Sequence, residues 1–367
     1  MRNTEVRLKK LDIVFVLILL GSVIYNVRPD YDGFDLVCYM GITLEFTNSD
    51  LNEVHKEVYR ELKRAAPENI YNKYTDGNHW YSEYYRDIDK YRNVLNYHRA
   101  KPLYNLMVFL LYSFGVSLAF ATIIPGVIGM CILMLILLAW LSEYVKRPAL
   151  YLLIGVISLL PVNSYLSYQS PIDGLSNMLV LAVLYLIAHG GKSSWVIIML
   201  ALATLCRVDN FILSCVILYY RFFYGKNLLY VFVLFTGLAI FALLMVPVVF
   251  GNTPGWLLQF NFLHSFSDYC KHFVVLFTHQ LRAPYFVFNL LLWLLLHRYG
   301  DSHSKLMLRI IGLTFLGHLV LFPSVEERFW VAYNYAIFLM FVRFLATTVQ
   351  TRWLIIPGAN NSIQNSV

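Results

Sequence analysis

Three carboxylates lead the first stretch of this chain where chemistry is conceivable. The run Arg28-Pro29-Asp30-Tyr31-Asp32-Gly33-Phe34-Asp35-Leu36-Val37-Cys38-Tyr39 follows directly on an apolar segment. A carboxylate at a membrane surface, partly desolvated, can serve as general base toward a hydroxyl. The same run also reads as a solvated acidic loop. A second run, Tyr97-His98-Arg99-Ala100-Lys101-Pro102-Leu103-Tyr104, sets two cations at the start of an apolar helix. Arg99 and Lys101 could hold a lipid phosphate, Arg in a bidentate way, or simply anchor to headgroups. A third, Cys206-Arg207-Val208-Asp209-Asn210, lies between two apolar segments. Ionisable groups at membrane depth are costly and commonly line a cavity. The plainer alternative is an Arg207–Asp209 pair that steadies a helix junction. A fourth, Pro323-Ser324-Val325-Glu326-Glu327-Arg328-Phe329, places Arg328 at the start of the last apolar segment. Arg328 could bind phosphate or pyrophosphate with Glu327 orienting it, or the group could cap and anchor the helix. A fifth, Gln169-Ser170-Pro171-Ile172-Asp173, adds Gln169 and Asp173 in support, or is a helix start at which Asp173 complements the dipole.

The elements that must position these groups are read from hydropathy. Of the 367 residues, 59% are hydrophobic and 14% charged, with a mean hydropathy of +0.59. Soluble domains are nearer ~45–50% apolar and ~25% charged. Long continuous apolar runs, rather than short alternating ones, predict an all-α polytopic transmembrane bundle and not a β-barrel. Ten spans are expected, at 11–27, 117–141, 148–163, 174–189, 194–206, 210–223, 228–249, 284–297, 306–322 and 329–348. The first is a span and not a cleaved signal, since no small-residue cleavage site follows it. Residues 1–350 then form one transmembrane domain and 351–367 a polar cytoplasmic tail.

Charge sets the orientation. With the N-terminus in the cytoplasm, the cytoplasmic flanks hold Arg2, Arg7, Lys9, Lys10, Lys146, Arg147, Lys192 and most later cations. The short external loops hold only Arg207, Lys271, Arg282 and Arg328. This is the positive-inside pattern, with both termini cytoplasmic. It also accounts for the net charge of +7 without a nucleic-acid partner. The large first extracytoplasmic loop, 28–116, carries surface helices. Asp50–Arg64 has a capping-box start at Asp50 and Glu53 and an apolar face of Leu51, Val54, Val58 and Leu62. Residues 101–114 are apolar but too short to cross, and read as a helix along the membrane surface. Tyr71, Tyr74, Tyr81, Tyr84, Tyr85, Tyr91, Tyr97 and Trp80 read as an interfacial aromatic belt or as stacking surfaces for a sugar. The five cysteines and the trio His264, His272 and His279 lack metal-ligand spacing. On this topology all five charged groups face the same, external side.

This layout resembles the GT-C class of integral membrane glycosyltransferases. Asp35-Leu36-Val37-Cys38-Tyr39 looks like the Asp-x-x-x-Tyr run after their first span, and Lys101-Pro102-Leu103-Tyr104 through Phe114-Gly115 like their Arg/Lys-Pro-Leu-Tyr surface helix. Leu205-Cys206-Arg207-Val208-Asp209 looks like their Leu-x-Arg-Pro-Asp/Glu junction, with Val208 in place of Pro, and Glu327-Arg328-Phe329 like the start of a late span. The acidic pair common after the first span is absent, as is a soluble C-terminal domain. The resemblance implies inverting transfer of a sugar from a polyprenyl-phosphate-linked donor to a glycan or lipid acceptor, in cell-surface polysaccharide or glycolipid synthesis. It implies Asp35, then Asp32, as base, and Arg99, Lys101, Arg207 and Arg328 as ligands of the donor phosphate, with Asp209, Glu327, Asp173 and Gln169 in support. No cofactor is demanded and no metal ligand is assigned, although Asp32 or Asp35 leaves room for a divalent ion. Membrane lipids are the remaining partners, and the absence of organelle signals leans to a bacterial inner membrane. A transporter or lipid flippase is the alternative; it would place polar residues at mid-span within inverted repeats, and no internal repeat is visible.

Overall fold

The computed structural model describes residues 33–77, 79–225, 284–321 and 326–348, with single positions between 21 and 31 and single positions or runs of two or three between 233 and 278. Apart from such single positions, the expected spans 11–27 and 228–249, the tail 351–367, Asp32 and the three late histidines fall outside the described residues. Among the described residues the fold is entirely helical.

The extracytoplasmic segment of the sequence map is a small helical unit with its own core. It comprises α1 (Phe34–Glu45), α2 (Leu51–Ala65), α3 (Glu68–Thr75), α4 (Ser82–Arg86) and α5 (Ile88–Arg99). Asp50 caps α2 by accepting from the Asn52 amide at 2.9 Å. The reciprocal half of the expected capping box is not made, because Glu53 turns outward to Lys56. Asp87 caps α5 through the amides of Asp89 and Lys90, at 3.0 and 3.1 Å. Capping satisfies N–H groups that a helix start otherwise leaves open. The apolar stripe of α2 then meets α1 and α5, burying Val37, Cys38, Val54, Val58, Leu62, Tyr74, Tyr91 and Leu95. The tyrosines correct the expectation of an interfacial belt. Tyr74 and Tyr91 are fully buried, and Phe34 packs against Tyr74, Tyr81, Tyr84 and Trp80. Trp80 and Tyr85 remain exposed.

The second core belongs to the apolar helices. These are α6 (Pro102–Ser113), α7 (Leu118–Leu141), α8 (Arg147–Ser158), α9 (Pro161–Ser164), α10 (Pro171–Ala188), α11 (Ser193–Cys206), α12 (Phe211–Gly225), α13 (Pro284–Tyr299), α14 (Ser302–Leu321) and α15 (Val331–Thr348). Three, α7, α10 and α15, are long and apolar enough to cross a membrane. A fourth crossing is available if α8 and the helix 161–169 count as one span, bent by 58°. The bend follows from Pro161, which cannot continue the backbone ladder of α8. The helix expected over 101–114 is present as α6 and ends where Gly115 turns into the left-handed region, φ +88°.

Helices α7 and α10 pack backbone against backbone. A Cβ on Gly126 would lie 2.5 Å from the Pro171 Cα, and one on Gly129 would lie 2.6 Å from the Leu175 Cα. Close backbone approach through small residues is how membrane helices gain packing energy where lipid removes the hydrophobic drive. Helix α1 joins the two cores. Its Val37, Cys38 and Met40 belong to the first, while Tyr39 enters the second, edge-on to Tyr104 at 4.6 Å.

Candidate functional site

Most of the charged residues singled out by sequence, joined by His98, converge from six elements upon one cluster. Asp35 sits in the first turn of α1. His98 occupies the last turn of α5, and Lys101 is the residue before Pro102 at the start of α6. Asp173 lies in the first turn of α10. Arg207 precedes, and Asp209 lies within, a 3-10 turn, Val208–Asn210, between α11 and α12. Arg328 lies in another, Glu327–Phe329, before α15.

Asp173 is the hub of the bundle side. The π turn Tyr165–Gln169 ends at Ser170, whose Ser-Pro-Ile-Asp sequence starts α10 with Pro at its first position and an acid in its first turn. Ser170 Oγ donates to Asp173 Oδ2. Arg207 Nη1 donates to Asp173 Oδ1, while Arg328 Nε stands 3.4 Å from Oδ2. Asp173 is only 1% exposed. A carboxylate so buried is tolerable because two guanidiniums and a hydroxyl satisfy it at a helix N-terminus.

The two arginines are held on further sides. Arg207 donates to both oxygens of Asp209, Nε at 3.0 Å and Nη2 at 2.9 Å, and lies 4.1 Å over the Phe329 ring. Asp209 also meets His318 Nε2 from α14 at 3.0 Å. Burial alone would raise the Asp209 carboxyl, but Arg207 and His318 overcome it and hold it well below the usual range. Arg328 Nη1 donates to Ser170 Oγ at 3.0 Å, and its Nε pairs with Glu326. Asn177 ties the backbone here, donating to the carbonyls of Asp173 and Arg328 at 2.8 Å each and accepting from the Ala332 amide at 2.8 Å.

On the loop side, His98 Nε2 lies 3.1 Å from Asp35 Oδ1. Lys101 Nζ donates to the Tyr39 hydroxyl at 2.8 Å and sits 4.4 Å over the Tyr97 ring. Burial opposes the charge of Asp35, yet the His98 hydrogen bond and the charges of His98, Lys101 and Arg328 keep its carboxyl well below the ordinary range. Lys101 is pushed down to about 8, by burial first, with Arg207 and Arg328 adding to the fall and Asp35 opposing it. Tyr97 feels Arg207, Asp35, Asp209 and Arg328 at once, so the two halves share one electrostatic field. Asp35 keeps 32% of its side chain accessible.

The structure therefore brings together Asp35, Lys101, Arg207, Arg328, Asp173 and Asp209. Arg99 is not among them. Its side chain pairs with Glu45 at the far end of α1, 41% exposed. Helical geometry is the reason: Tyr91, Val94, Leu95 and His98 form the buried face of α5, and one further residue turns about 100° away. Glu327 does not orient Arg328 among the described residues; Glu326 and Asp173 do. Gln169 closes the π turn and makes none of the cluster's hydrogen bonds among the described residues. Sequence reasoning passed over His98, Ser170, Asn177, His318 and Glu326. The spacing of Tyr91, Leu95 and His98 is the signal that would have turned His98 inward.

Chemically, the arrangement offers an accessible carboxyl whose ionised form its neighbours favour, in the field of three cations that could neutralise a phosphate. The described residues hold no group of three or more His, Cys, Asp or Glu side chains placed to ligate a metal. No protein-family model, curated protein or solved structure matches the chain.

Proposed function

We propose that this chain is a GT-C-like membrane glycosyltransferase that moves a sugar from a polyprenyl-phosphate-linked donor to a glycan or lipid acceptor at the extracytoplasmic face. The one observation that carries this reading is the meeting of Asp35, on the loop unit, with Lys101, Arg207 and Arg328, which arrive from separate elements. Such a site has the two parts an inverting displacement requires. Asp35 accepts the proton of the acceptor hydroxyl. The hydroxyl oxygen forms the new bond to the anomeric carbon as the bond to the donor phosphate breaks. The phosphate leaves with that electron pair, its charge met by the cations. A phosphate is a good leaving group and needs no strong acid, which suits a site with one accessible carboxylate. The ten-span map, both termini in the cytoplasm and residence in a bacterial inner membrane belong to the same proposal.

The purified chain in proteoliposomes, supplied with polyprenyl-phosphate sugars, tests it. Transfer is expected, and Asp35→Asn should lower it by about 10²–10⁴-fold while leaving the fold intact. Native mass spectrometry should find a polyprenyl phosphate retained by the wild type and released by Arg328→Ala. Full transfer by Asp35→Asn would remove the base; retention of bulk phospholipid alone would remove the donor class.

A further inference from the structure

The imidazole of His98 poses a problem of proton counting. Its Nδ1 lies 3.0 Å from the Val94 carbonyl one helical turn back. A carbonyl only accepts, so a hydrogen bond at this distance requires a hydrogen on Nδ1. The other nitrogen, Nε2, lies 3.1 Å from Asp35 Oδ1. A neutral ring protonated at Nδ1 presents a lone pair at Nε2, and a carboxylate presents lone pairs as well. The contact is attractive only with a proton between them. Imidazolium with carboxylate, and imidazole with carboxylic acid, are the two ways to place it, and both contain one shared proton. The ring cannot escape this by turning. His98 is 2% exposed, its ring stands edge-on to Tyr39 and Tyr97 at 5.0 Å each, and its own carbonyl accepts from Asn105 at 3.0 Å.

We propose that His98 and Asp35 form a single acid–base unit that holds one shared proton at rest and takes up a second from the acceptor hydroxyl. Its chemical step rests on the transferase reading above; the proton sharing rests on geometry alone. His98 is the positioning residue. Its hydrogen bond occupies one Asp35 oxygen while the carboxylate remains accessible from outside the pair. In the step, the hydroxyl O–H bond breaks and its proton goes to Asp35. The O–H electron pair forms the bond to the anomeric carbon, and the pair from the broken bond leaves on the phosphate. The unit then holds two protons, as carboxylic acid and imidazolium, and returns one to water. Its two apparent pKa values belong to the pair and not to either residue. The groups that face the pair and set those values are Cys38 and Tyr39 on α1, Tyr97 on α5, Lys101 and Tyr104 at the start of α6, Tyr165 in the π turn, and Arg328.

The test uses the full chain in lipid nanodiscs and two readouts. Nitrogen NMR of the His98 ring and carbon NMR of the Asp35 carboxyl should give Nδ1 protonated throughout, with Nε2 and the carboxyl moving together at shared midpoints. Asp35→Asn should leave His98 titrating in a single step. An unprotonated Nδ1, or a His98 titration unchanged by Asp35→Asn, would overturn the unit. The second readout is the pH profile of transfer, compared in a Lys101→Arg background so that no titrating ammonium lies beside the pair. A bell-shaped profile is expected with His98. His98→Gln retains an N–H for Asp35 but does not titrate. It should run about 10-fold slower with the alkaline limb gone, whereas a merely structural histidine would leave both limbs in place. Coupled titration without transfer from any polyprenyl-phosphate sugar would keep the unit and remove the transferase. Transfer with uncoupled titrations would do the reverse.

Discussion

Lys101 shows most clearly how one residue's surroundings set its use. Burial and two neighbouring guanidiniums push its ammonium down to about 8, so the free site holds its charge below that pH and loses it above. A bound phosphate favours the charged form and raises the value again. Donor affinity of the wild type should therefore weaken as pH climbs past about 8, and Lys101→Arg should flatten that decline, because a guanidinium stays protonated throughout. Titration calorimetry with a polyprenyl phosphate at pH 7 and pH 9 reads this directly; equal slopes in both proteins would take Lys101 out of the phosphate site. The cations and carboxylates of the cluster were legible in the sequence because each interrupts or borders an apolar run, where a charge is conspicuous. Neighbours in sequence were harder. Arg99 and His98 are adjacent, and only the helical phase of α5 decides that His98 enters the cluster and Arg99 pairs with Glu45. Glu326 and Glu327 are chemically alike, and the 3-10 turn decides which of them reaches Arg328.

At the scale of elements, the site depends on where α10 begins. Asp173 is placed by the close crossing of α7 and α10, with Gly126 against Pro171 and Gly129 against Leu175. Gly126→Ala puts a methyl group where the Pro171 backbone already stands. It should cost about 1–3 kcal/mol by overpacking and lower the thermal midpoint in detergent. The same shift of α10 should weaken lipid-phosphate retention, since Arg207 and Arg328 both lean on Asp173. A variant as stable as the wild type would mean that the crossing can open without loss. Elements with strong local signals were legible: the Asp50 cap and apolar stripe of α2, the Pro102 start of α6, and the long apolar run of α7. The tyrosines of the loop unit were not. A ring suits a membrane interface and a small aromatic core equally well, and only the packing of α1, α2 and α5 around Tyr74 and Tyr91 settles the choice. Nor does hydropathy report the π turn or the 58° bend after α8. Both are matters of backbone path within a continuous apolar stretch.

The number and direction of crossings fix which groups share a face of the membrane. Among the described residues three helices, or four with the bent pair, have the length and composition to cross; α11 and α13 are apolar but shorter, and α14 carries Lys305 and Arg309. Charge bias across the loops is a property of the sequence and supports the larger map. In a cysteine-free background, Lys63→Cys on the loop unit should react with a membrane-impermeant maleimide on intact cells, and Lys192→Cys only after permeabilisation. Labelling of both from outside would break the alternation on which ten spans rest. The two cores that meet along α1 have a further consequence. Asp35 and His98 are carried by the loop side, Lys101 stands where that unit runs into α6, and Arg207, Arg328 and Asp173 are carried by the bundle. On the proposed reading, neither half is an enzyme alone. A donor held by the bundle would face Asp35 across the seam between the two cores, so the fit of that seam, more than any single side chain, sets whether base and leaving group meet.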